Sequence, residues 1–139
     1  MTKESRLMSG IILLTVPTII FGGNFLLGLM SGNYPEMELT SFQQAMFRAG
    51  HGHAGVLVIL ALIAQFLVDQ SDLSQQWRWI VRAGFPFAAI LVSGGFFAAA
   101  AGNGLTAPNN FVAVLYLGMA VLALSLVTLG IGLVRGKKV

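Results

Sequence analysis

The chain has 139 residues, of which eight are Lys or Arg and five are Asp or Glu, while 56% are hydrophobic. Mean hydropathy is +0.82. A soluble domain carries about a quarter charged residues; a chain with 9% is neither a soluble globular enzyme nor a charged, disordered tail. The absence of cysteine excludes disulfides, thiolate metal sites and cysteine nucleophiles. A pI near 9.8 does not indicate nucleic acid here, because the cations flank apolar runs instead of forming a patch. The basicity reads as membrane orientation.

In chain order, Lys3 and Arg6 precede an uncharged stretch from Leu7 to Pro35. It is too long for the apolar region of a signal peptide, and no Ala-x-Ala site follows it. A helix needs about 20 apolar residues to cross a bilayer, and residues 8–30 are predicted as the first span. Pro17 predicts a kink. Gly22, Gly23, Gly28 and Gly32 offer close helix approach, the last two spaced as G-x-x-x-G. A loop over 31–47 carries Glu36 and Glu38. The second span is predicted at 48–68, with a mostly small stripe of Gly50, Ala54, Leu57, Ala61 and Ala64. Arg78, Arg82, Trp77 and Trp79 mark the next connection. The third span, 80–101, contains Pro86, Ser93, Gly94, Gly95 and Ala98 to Ala101. A polar loop over 102–110 leads to the fourth span, 111–134. Pro17 and Pro86 are each followed by a glycine pair, a phenylalanine and a Gly-Asn, but the proline-to-glycine offsets differ and no repeat is inferred.

These spans predict a single all-α transmembrane domain over 1–139, an up-down four-helix bundle joined by short connections. Backbone polar groups in lipid must be satisfied within the segment, which favours helices. The runs also lack the alternation of a β-barrel. Orientation follows from the cations: Lys3, Arg6, Arg78, Arg82, Arg135, Lys137 and Lys138 fall on one side and Arg48 alone on the other. The positive-inside rule then places both termini in the cytoplasm. Trp77 and Trp79 fit an interfacial belt on that side.

The chemically distinctive segment is Arg48-Ala49-Gly50-His51-Gly52-His53-Ala54-Gly55, at the outward end of the second span. Ionisable groups near membrane depth are functional candidates. Residues i and i+2 of a helix differ by about 200°, so His51 and His53 point apart and do not chelate one metal from a regular helix. His51 lies on a line through Gln44, Arg48, Gly55, Val58, Leu62, Gln65 and Asp69, and is expected towards the bundle interior. His53 is expected towards lipid, a neighbouring helix or another subunit. Three uses are open. A divalent metal site would join Glu36 or Glu38 to His51. A b-type haem would use His51 or His53 with a second ligand such as Met30 or Met119, and Arg48 would meet a propionate. In the third, the histidines hydrogen-bond across helices and Arg48 pairs with Glu36 or Glu38.

Asn24, Asn103, Asn109 and Asn110, with His51 and Arg48, are expected to line an outward polar cavity. The inner half offers Thr15, Thr18, Gln65, Ser93, Ser125 and Thr128, and no buried charge is expected there. No His-Glu-x-x-His, Gly-x-Ser-x-Gly, P-loop or dinucleotide motif is present, and no buried carboxylate pair is expected, so the reading leans away from an enzyme.

Across Phe47 to Leu57, with Gly22-Gly23-Asn24-Phe25-Leu26-Leu27 and Pro108-Asn109, the chain resembles small bacterial four-helix inner-membrane proteins. That resemblance implies the fold and no activity. The His51-Gly52-His53-Ala54 segment is also similar to a His-Ala-His helix in relatives of haem–copper oxidase subunit I, which would imply haem or metal binding. The expectation is a membrane protein without a catalytic set, self-associating or accessory to a larger complex. The alternatives are a haem or metal protein using His51, and an oligomeric channel or transporter.

Overall fold

The computed structural model describes residues 1–135; Lys137 and Lys138, which enter the orientation argument, lie outside the described residues. The described chain folds into α1 (Lys3–Met30), α2 (Ser41–Gln70), α3 (Gln75–Ala99) and α4 (Val112–Val134). All four are long and apolar enough to cross a membrane.

Three helices start earlier than hydropathy predicts, and side-chain caps extend two of them, Thr2 on α1 and Thr40 on α2. Thr40 and Gln43 form a reciprocal capping box, with Gln43 N–H on Thr40 Oγ1 at 3.2 Å and Thr40 N–H on Gln43 Oε1 at 3.2 Å. Two otherwise orphaned donors are thereby satisfied, and α2 begins at Ser41 instead of residue 48. Without a side-chain cap, α3 begins at Gln75, which sets Arg82 two turns inside the helix. At the other end of α1, Gly32 adopts φ +75° and donates to Leu29, while Asn33 donates to Gly28. This Schellman arrangement needs a residue without Cβ. Gly28 is covered by Tyr34, and Gly32 lies beyond the helix. The expected Gly28/Gly32 packing motif is therefore a helix terminus, not a seam between helices.

Successive helices run antiparallel. The start of α1 meets the end of α2 where Thr2 bonds Asp69. The start of α2 meets the end of α3 where Gly50 faces Phe96 and Phe97. The start of α4 meets the end of α3 where Gly95 faces the Leu115 backbone. One end of the molecule, the termini end, thus carries residue 1, the α2–α3 connection and the end of α4. The opposite, loop end carries the 31–40 and 100–111 connections.

Packing follows the small residues. Gly84, Gly95 and Gly118 bring α3 and α4 together, with side chains or backbone of the partner where a Cβ would stand. Ala61, Ala64 and Val68 of α2 join Val81 and Phe85 of α3 and Leu129 of α4 in the main core. A second cluster of Leu57, Ala89, Val92 and Leu115 continues towards the loop end. Dispersion and close approach replace the hydrophobic drive that lipid does not supply. By contrast, α1 packs chiefly on α2, and among the described residues none of its Cα atoms comes within 8 Å of one in α4. The helices stand in an open series, with α1 at one edge and only 11% of its most apolar stretch buried, against 44% for α3.

Candidate functional site

The termini end holds a charge cluster that the expectation of no buried inner charge misses. Arg82 is 1% exposed and pairs with Asp69, 8% exposed at its side chain. Asp69 Oδ2 accepts from Thr2 N–H at 2.8 Å. Asp69 Oδ1 lies 2.9 Å from Thr2 Oγ1 and 2.7 Å from Ser5 Oγ. Arg82 Nε donates to Ser5 Oγ at 3.2 Å. Ser5 Oγ is also 2.9 Å from the Gln65 carbonyl, and its single proton serves one acceptor at a time. Three helices are therefore tied at one point.

Gln65 completes the cluster for a backbone reason. Pro86 has no N–H, which frees the carbonyl of Arg82 four residues earlier; Gln65 Nε2 donates to that carbonyl at 3.3 Å and to Ala61 at 3.1 Å. Arg82, read from sequence as a loop cation that sets topology, is a packed side chain. The available signal was Gln65 and Asp69 at i,i+4 on one face of α2, opposite a cation four residues before a proline. Within the cluster only Gln65 Oε1 is buried without a partner; the bonds among Thr2, Ser5, Gln65, Asp69 and Arg82 tie α1, α2 and α3 together.

The histidine segment is continuous helix, and its two imidazoles diverge. His51 is half-buried and packs on α1, where a Cβ on Gly23 would stand 2.9 Å from His51 Nε2. His53 is exposed; its Nδ1 lies 2.8 Å from the Ala49 carbonyl, and its ring stacks on Phe96 of α3 with centroids 4.9 Å apart. Arg48 pairs with neither Glu36 nor Glu38; its Nε contacts Met30 Sδ at 3.1 Å. The sole ion pair among the described residues is Arg82–Asp69. Nor do three His, Asp or Glu side chains come together as a metal set among the described residues, so His51, Glu36 and Glu38 are not assembled into one.

A cavity of about 850 Å³ opens at the loop end, but its lining differs from the one expected. Glu36, Glu38 and Asn103 line it, whereas Asn24, His51 and Arg48 do not. Asn24 is exposed on α1. Asn109 closes α3 instead: its Nδ2 donates to Ala98 at 2.9 Å and to Ala101 at 3.0 Å, satisfying carbonyls at the helix end. The walls are mainly apolar, with Phe25, Leu26, Leu29, Phe47 and Phe97. Phe47 and Phe97 pack at 5.3 Å between centroids.

Gln43 positions the cavity and is the wall residue that sequence reading overlooked. It is 2% exposed, and its Nε2 donates to Ala100 at 2.9 Å and Gly102 at 2.8 Å. Thr40 Oγ1 donates to the Leu105 carbonyl nearby. The capping box that starts α2 thus also clamps the α3–α4 connection beside the cavity. Its sequence signal was Thr40-x-x-Gln43 ahead of an apolar run.

No protein-family profile, curated protein or solved structure matches this chain.

Proposed function

We propose that the protein is a non-catalytic inner-membrane subunit that associates, with copies of itself or within a larger complex, through open helix faces. Both termini lie in the cytoplasm in this reading, which rests on the distribution of Lys and Arg.

The observation that carries it is the position of glycines with no packing partner in the chain. A Cβ on Gly52 or Gly55 of α2, or on Gly94 of α3, would meet nothing within 4 Å. Gly costs about 1 kcal/mol relative to Ala inside a helix, and in membrane helices small residues admit the backbone of another helix. Gly84, Gly95 and Gly118 fulfil that role within the chain; Gly52, Gly55 and Gly94 are free to do so with a second one. The open edge at α1 supplies further uncovered surface.

The test is Gly52→Leu/Gly55→Leu. A Cβ at either position meets nothing within 4 Å of the single chain and both changes raise helix propensity, so helical circular dichroism is expected to be retained while a close-approaching helix is blocked. Native mass spectrometry and disuccinimidyl cross-linking in native membranes are expected to show an assembly that the double variant loses. A wild-type chain that remains alone in both measurements overturns the reading.

A further inference from the structure

The loop-end cavity carries an inference that does not depend on association. We propose that it binds an organic cation with an apolar body. The sign of the site comes from its carboxylates: Glu36 and Glu38 both line the cavity, and no Lys, Arg or His lines it. Neither glutamate forms an ion pair among the described residues. Arg48, the nearest cation in sequence on α2, is directed to Met30 instead.

The walls specify the rest of the ligand. Phe25, Phe47 and Phe97 present aromatic surface to the cavity, and ring faces attract cations while covering apolar groups. The volume of about 850 Å³ suits a small molecule, since such sites run to about 300–1,000 Å³ with mostly apolar linings and a few oriented polar groups. Gln43 is engaged with the carbonyls of Ala100 and Gly102, so its amide serves as wall. A bare divalent cation has different needs. Calcium takes about 6–8 oxygen ligands in close geometry, and no three acidic or imidazole groups converge among the described residues. A ligand spreading its charge over an apolar frame uses both the carboxylates and the phenylalanines.

The experiment uses two ions of the same shape and opposite charge, tetraphenylphosphonium and tetraphenylborate. Each is titrated by equilibrium dialysis against the full chain in phosphatidylcholine nanodiscs, with empty nanodiscs correcting for partition into lipid. Saturable binding of tetraphenylphosphonium at one per chain is expected, with no saturable binding of tetraphenylborate. Glu36→Gln/Glu38→Gln should weaken the cation by about three- to tenfold, because each exposed carboxylate contributes only modestly to an ion pair. Phe47→Leu keeps an apolar side chain while removing one ring and should weaken it by a smaller factor. Both glutamates are exposed loop residues, so the double variant retains the helical circular dichroism of the wild type. The proposal is overturned by saturable binding of both ions, by cation affinity unchanged in the double variant, or by no saturable cation binding.

Discussion

At the scale of single residues, Arg82 shows how one position serves two physical roles. Its charge counts towards a basic termini end, yet its guanidinium is buried against Asp69, Ser5 and Thr2. Removing one partner of a buried ion pair leaves the other uncompensated and costs about 3–5 kcal/mol. Asp69→Ala is therefore expected to lower the midpoint of SDS-induced unfolding sharply. Replacing both partners, as in Asp69→Leu/Arg82→Met, removes the unpaired charge and should recover most of the loss. Equal losses in the single and double variants would mean that the charges are not coupled. Sequence reading located both residues but not the pairing, because it counted Arg82 among the cations of the α2–α3 connection although residue 82 falls inside its own third span, 80–101. The polar line through Gln65 and Asp69 was visible, and what it faced was not.

At the scale of helices, glycine has opposite consequences depending on what stands beside it. A Cβ on Gly118 would lie 2.7 Å from Val92 N, whereas one on Gly94 would meet open space. Gly118→Val should therefore force α3 and α4 apart and lower the thermal midpoint in detergent. Gly94→Ala should leave it unchanged or raise it, gaining up to about 1 kcal/mol of helix propensity. The reverse order would contradict the α3–α4 packing. The small stripe on α2 was largely legible: Gly50, Leu57, Ala61 and Ala64 are buried as their spacing implies, whereas Ala54 is half-buried. The Gly28/Gly32 pair misled, because the same spacing serves a helix-packing motif and a helix terminus. Only the positive φ of Gly32 distinguishes the two.

At the scale of the whole molecule, antiparallel helices bring Thr2, Asp69, Arg82 and Gly132 to one end, where Asp72 N–H also bonds the Gly132 carbonyl at 2.9 Å. The proposed orientation puts that end in the cytoplasm. The lack of cysteine makes it directly testable with single cysteines and a membrane-impermeant maleimide. Met37→Cys, in the loop-end connection, should react in intact spheroplasts, and Lys3→Cys and Gln75→Cys only after permeabilisation. The opposite pattern would invert the topology. All three positions are exposed, so accessibility reports the side of the membrane and not burial in the protein.

Hydropathy adds up locally along the chain, and for that reason the sequence by itself determined the all-helical class, four apolar segments and their approximate limits. Capping chemistry, also local, contained the true start of α2 in Thr40 and Gln43, although hydropathy alone passed over it. The partner of a side chain depends on the rotation and register of helices distant in sequence, and only the tertiary structure decided those. It turned His51 towards Gly23 and His53 towards Phe96. It sent Arg48 to Met30 and left Glu36 and Glu38 facing a cavity lined by phenylalanines. It also closed Asp69 and Arg82 into a buried pair and kept α1 apart from α4.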